Sequence, residues 1–406
     1  MRRTSLAILI FALISCAPVA TLPVPPVPTA TPPASPQNST VATPQPTEVS
    51  VEAAIQATLD QHAEAWNTGD IALLEQTIDP QSGAFRRLVK GRFESFQEGA
   101  FSEFAAFSYT LDRVTTREHG FVQARVRGDG GVLGWTFREV EGRWLLSEPS
   151  EQQVGERVVS KSEHFTFQTY PWADAVNGEI KTLMEEARAE VIEKLGREPD
   201  RQALITILPA FAVGPLQGSG LVASYDRSAR KVGPDRIMIY APDTYAFGAY
   251  DAQASWQPSL RQTLVHEYTH LVHNRSFTPI VRVPLWMTEG IAEFVAEGSR
   301  FYEVRLAVEQ DRIIPLIDPA TSDPLLVQDL QHMGALDRDT SLAYGLSYSL
   351  VAYIVENHGG LAGFWKLAEA YDARQKLPDA LTDAFGVTYD EFDAGWRAWL
   401  REQYLP

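Results

Sequence analysis

Five residues, His266-Glu267-Tyr268-Thr269-His270, concentrate more chemistry than any other stretch of this 406-residue chain. On an α-helix a separation of four puts the two imidazoles on neighbouring turns of one face, where both can point at a single divalent ion. Zinc suits such nitrogen donors. Glu267 lies about 100° further round the helix, close enough to face a metal-bound water but angled away from ligation. That is where a general base belongs. A catalytic zinc needs three protein ligands and one open position. A histidine six residues after His270 would be one solution, but Ser276 stands there. A carboxylate on a second helix is the other, and Trp286-Met287-Thr288-Glu289-Gly290-Ile291-Ala292-Glu293-Phe294 supplies Glu289. The connecting chain can end the first helix, turn at Pro279 and Pro284, and return antiparallel. Glu293, one turn beyond Glu289, can then reach back to a ligand histidine and fix its tautomer.

The first of these two helices is expected over 259–275, capped by Ser259, with Leu260, Leu264, Val265, Tyr268, Leu271 and Val272 as its packing surface. His273 shares the stripe of His266 and His270, but Glu289 already completes the set, so His273 is read as structural. Upstream, Glu163–Tyr170 alternates as a strand, Ala173–Gly196 is an amphipathic helix with a glycine cap, and Ala203–Leu208 and Arg236–Tyr240 read as strands. His164, without an evident partner, is also read as structural. Downstream, a helix over Phe301–Val308 precedes a Pro- and Asp-rich loop, Ile313–Asp329. Helices are then expected from Ala343 to Glu356 and over 361–373, 378–385 and 389–403, the last begun by a Thr388-x-x-Glu391 capping box.

The HExxH of 266–270, followed by Glu289 and Glu293 within WxxEGxAE, resembles the gluzincin metallopeptidases, most of all the bacterial peptidase-MA-like group, over roughly Lys161 to the C-terminus. The resemblance implies one Zn²⁺ per chain held by His266, His270 and Glu289, with Glu267 as base and acid and Glu293 behind a ligand histidine. It also implies that residues 236–240, the last strand before the zinc helix, form a sheet edge above the cleft, to which an extended peptide can add. A tyrosine from the 343–348 region would donate to the oxyanion; Tyr344 is the first choice and Tyr348 the second. No Gly-x-Met-Glu-Asn stretch precedes the motif, so aminopeptidase activity is not implied.

The N-terminal third reads differently. Met1-Arg2-Arg3, the apolar Leu6–Leu13 and Leu13-Ile14-Ser15-Cys16 resemble a lipoprotein signal over residues 1–15, with Cys16 the lipid-bearing residue. Cys16 is the only cysteine, so the folded parts are expected to be held by packing alone. Residues 16–50 are a Pro/Thr-rich spacer. Over 51–155, helical spacing at Val51, Ile55, Leu59, His62 and Trp66 gives way after Asn67-Thr68-Gly69-Asp70 to a second helix, then to period-two strands turned at Glu141-Gly142. The AWNTGDIALLEQTID opening and GRWLL near the end are similar to the nuclear transport factor two superfamily. That implies a cone of helices on a curved antiparallel sheet, an accessory domain whose Trp66, Trp135, Phe137 and Trp144 are more simply core than pocket.

The expected fold is therefore α+β: the cone domain, then a zincin-like mixed sheet and helical metallopeptidase domain over 158–406. A formal charge of −17 argues against nucleic acid as a partner; a peptide or protein substrate and a lipid anchor through Cys16 are expected instead. No repeat or heptad suggests an oligomer, so a monomer is expected. The expected function is a membrane-anchored, extracytoplasmic zinc metallopeptidase. A non-catalytic, ligand-binding or sensory envelope lipoprotein is the alternative.

Overall fold

The computed structural model describes residues 50–97, 106–128, 131–199, 201–210, 212–213, 223–226, 234–242, 256–278, 283–298, 301–311, 313 and 340–405. The signal over 1–15, Cys16, the spacer as far as residue 49, Pro279 and most of the Ile313–Asp329 loop lie outside them.

The first unit begins where Ser50 accepts a hydrogen bond from the Ala53 N–H and so starts α1 (Val51–Thr68), which Gly69 ends in the left-handed conformation. Asp70 caps α2 (Ile71–Gln76) by accepting from the N–H groups of Ala72 and Leu73. A third helix, α3 (Gly83–Ser95), was not expected from the sequence. Strands β1 (Tyr109–Thr116), β2 (Phe121–Gly128), β3 (Gly131–Val140) and β4 (Arg143–Leu146) form an antiparallel sheet in that order. Glu141 and Gly142, both at positive φ, make the two-residue β3–β4 turn, with Val140 paired to Arg143. Trp66, Trp135 and Phe137 are buried with Leu59, Phe93 and Val126 between helices and sheet.

The second sheet runs in the order β5-β6-β7-β9-β8. Here β5 is Val158–Lys161, β6 Phe165–Thr169, β7 Ala203–Leu208, β8 Ala223–Asp226 and β9 Arg236–Tyr240. The three central strands are parallel and the two outer ones antiparallel to their neighbours. This corrects the expectation for residues 236–240: β9 lies inside the sheet, and β8, from the Gly- and Ser-rich interval, is the edge. Four residues are too few to display a period against such flanks. His164 precedes β6 and its Nδ1 pairs with Glu185 at 2.7 Å, so it has the partner that the sequence did not reveal.

Both faces of this sheet are covered, which explains why β7 and β9 read as nearly unbroken apolar runs. Ile205, Ile207, Ile237 and Ile239 pack with α4 (Asp174–Leu195) and α5 (Trp256–Arg275). The alternate residues Met238 and Tyr240, with Leu208, join Phe121 and Trp172 in the core of the first unit. Trp172 stands edge-on to Phe121 at 5.4 Å, and the Arg117 guanidinium covers it at 4.3 Å. The cone therefore docks on the sheet through shared core.

The remainder is helical: α6 (Leu285–Val295), α7 (Phe301–Glu309), α8 (Thr340–Asn357), α9 (Gly360–Arg374), α10 (Leu377–Phe385) and α11 (Tyr389–Tyr404), the last with the expected Thr388/Glu391 capping box. Helices α6 and α8 meet closely at Gly290, where a methyl group would overlap the Ser347 carbonyl. Among the described residues no helix is long and apolar enough to cross a membrane.

Candidate metal centre

Helix α5 starts at Trp256, three residues before the expected cap. Pro258 falls in its first turn, where a missing N–H costs no helical bond, so the helix runs through Ser259 instead of starting at it. Leu260, Leu264, Val265, Tyr268, Leu271 and Val272 are all buried and fix its rotation. His266 and His270 are thereby turned towards α6, and Glu267 towards β8. Helix α6 is buried along nearly its whole length, which an apolar sequence permits and which brings Glu289 and Glu293 inside with it.

His266, His270 and Glu289 form a group able to hold a metal ion, their donor atoms all within 4.8 Å of one another. The Nε2 atoms of His266 and His270 stand 3.4 Å and 3.1 Å from Glu289 Oε2. Donors at about 2.0–2.1 Å from a tetrahedral ion would be ~3.3 Å apart, so the spacing fits the edges of a zinc tetrahedron. His266 Nδ1 faces Glu293 Oε1 at 3.5 Å. A proton on that Nδ1 leaves the Nε2 lone pair directed at the centre of the group.

Electrostatics point the same way. Burial pulls the His266 pKa down, but Glu289, Glu293 and Glu267 outweigh it and push it up to about 9. Burial raises the Glu289 pKa, whereas the two imidazoles hold it well below the usual carboxylate range. Buried carboxylates thus stabilise a positive charge at this spot. A divalent cation would meet the same demand more fully.

Glu267 is half-buried beside the group, and its Oε2 accepts a hydrogen bond from the Tyr225 N–H of β8 at 2.7 Å. The Tyr344 ring lies 6.3 Å from the His266 ring, on α8. Tyr348, one turn on, packs instead against Phe294 at 5.9 Å, so the structure brings Tyr344 to the site and turns Tyr348 aside. His273 is fully buried among Phe277, Phe364 and Trp365, outside the donor group. Three contributors were missed by sequence reasoning: Tyr225, whose strand was not recognised, and Gly290 and Gly298. A methyl group at Gly298 would overlap the Glu293 carboxylate. Only Gly290, between Glu289 and Glu293 in an otherwise good helix former, carried a signal that could have been read.

Residues 241–402 match the family model described as the Peptidase MA superfamily, so this C-terminal part is peptidase-MA-like. The match spans every residue of the donor group together with Glu267, Glu293 and Tyr344, and stops short of β8 and the cone. A comparison with curated proteins returns no match.

Proposed function

We propose that this chain is a zinc-dependent peptidase. One observation carries the reading: a carboxylate oxygen at tetrahedral-edge distance from two imidazole nitrogens, the three donors grouped together, in a segment that matches a peptidase family. His266, His270 and Glu289 would hold the ion. When bound, zinc supplies a water acidified to a pKa of about 7 and polarises the scissile carbonyl. Glu267, beside the donor group, would serve as the base and then the acid for that chemistry. Glu293 keeps His266 in the tautomer that offers Nε2, and Tyr344 donates a hydrogen bond to the oxygen on which negative charge develops.

The same reading includes export and attachment to the outer face of a bacterial membrane through lipidated Cys16, with the Pro/Thr-rich segment as spacer. Its support is the sequence alone.

Metal content of the purified protein, measured with cleavage of an unbiased peptide mixture, tests the proposal. One zinc per chain and hydrolysis abolished by a chelator are expected. Stoichiometric zinc without hydrolysis of any peptide would favour an inert binding lipoprotein, and absence of zinc would remove the enzyme reading.

A further inference from the structure

Tyr225 contacts helix α5 at two places. Its backbone N–H reaches Glu267 at 2.7 Å. Its hydroxyl accepts from Asn274 Nδ2 at 2.9 Å and donates to Asp235 Oδ1 at 2.9 Å. Glu267 and Asn274 are two turns apart on one face, so the residue lies lengthwise along about 10 Å of helix. Asp235 is completely buried and is also paired with Arg275, the last residue of α5. Burial foremost, and the Asp235 carboxylate with it, push the Tyr225 hydroxyl far above the usual phenol range, although Asn274 opposes them. It therefore remains a donor to Asp235.

Among the described residues β8 is the outer strand of its sheet, and the Tyr225 N–H is directed towards α5. On an ordinary edge such a group would face water or an added strand. Here it holds one oxygen of a half-buried carboxylate. A glutamate side chain has several rotamers, and a hydrogen bond from a rigid backbone donor selects among them. Oε1 is left as the oxygen able to take a proton. The donor can do this only while β8 keeps its position along α5, and that position is set at the far end by the hydroxyl, Asp235, Asn274 and Arg275.

We infer that Tyr225, anchored by Asp235, is a positioning residue that fixes the Glu267 carboxylate for proton transfer. The inference rests on Glu267 being the base in the function proposed above. Tyr225→Phe keeps the N–H and the ring and removes only the anchor. Asp235→Asn keeps an acceptor for the hydroxyl and weakens the pair with Arg275.

The test uses the full chain loaded with zinc, with Leu381→Ala, in the distant helical core, as a control for general destabilisation. In both Tyr225→Phe and Asp235→Asn, kcat should fall roughly tenfold to a hundredfold, as expected when a catalytic group is displaced by a fraction of an ångström to an ångström. KM should stay within about threefold and zinc should remain at one per chain. Leu381→Ala should keep its kcat. An unchanged kcat in both cleft variants, or an equal loss in the control, overturns the inference. A second measurement needs no activity: hydrogen exchange at the amide of residue 225. It should be protected in the wild type and opened by Glu267→Ala and by Tyr225→Phe; exchange as fast in the wild type as in Glu267→Ala overturns the inference. A wild type that binds no zinc and cleaves nothing sinks the enzyme reading separately, and the exchange measurement still decides whether Tyr225 holds Glu267.

Discussion

Two histidine sites among the described residues, His62 in the cone and the His266/His270 pair in the cleft, start alike and end opposite. Each lies on the inner face of a helix among aromatic rings. His62 Nε2 accepts from Trp66 Nε1 at 3.0 Å, and its Nδ1 lies 2.8 Å from Thr77 Oγ1, whose own proton goes to the Leu74 carbonyl. Every polar atom in that chain has a neutral partner, and burial pushes the His62 pKa down to about 3. At His266 burial acts in the same direction, yet three carboxylates reverse the outcome to about 9. Burial alone therefore makes a histidine structural. Carboxylates converging on it make a cation site.

The largest effect that sharpens this contrast is expected at Glu267. Glu267→Gln should cut turnover by about a thousandfold or more while keeping zinc, whereas His266→Ala should lose both; elemental analysis beside kcat separates the two. Retained turnover in Glu267→Gln removes the assigned base. Next, Tyr344→Phe should lower kcat by about a hundredfold, the usual loss for one oxyanion donor, with Tyr348→Phe nearly silent; the reverse pattern would exchange their roles. In the cone, His62→Ala should cost about 2–4 kcal/mol, since it opens a cavity and strands the Trp66 and Thr77 partners, yet leave zinc stoichiometry untouched. Denaturant unfolding with metal analysis reads both. Gly290→Ala should cost about 1–3 kcal/mol by forcing α6 from the Ser347 carbonyl, and lower kcat through displacement of Tyr344.

The last effect is on pH. Between the ordinary histidine value of 6.5 and its folded value of about 3, His62 is protonated only in the unfolded chain. Its contribution to stability is thus present above about 6.5 and is lost as pH falls, by about 1.4 kcal/mol per pH unit. His62→Gln should flatten that slope in thermal melts taken from pH 7 to pH 4. An unaltered slope would show that His62 is not the neutral, buried group described here.

Much of this was legible from local chemistry. Spacing of four at 266 and 270, the carboxylates of WxxEGxAE, the Asp70 and Thr388 caps and the Glu141-Gly142 turn are all short-range, and each appears where residue type demands it. What escaped was long-range. Strand order depends on which runs pair across tens of residues, so β9 read as an edge until β8 was seen beside it. Tyr225 acts through its backbone, and no side-chain pattern advertises a peptide N–H. Asp235 became notable only when, fully buried, it was found against Arg275. The start of α5 was misread because Ser259 is a good cap, whereas Pro258 before it is equally at home inside a first turn.

The shared seam between Met238, Tyr240, Leu208 and Trp172 on one side and Phe121 on the other has a practical corollary. Severing the backbone between the two sheets should yield halves that stay together without a covalent link, each serving as the other's missing wall. Expressed separately, either half would present a greasy face to solvent and be prone to precipitate. The piece bearing the cleft is better prepared by fragment complementation than by simple deletion.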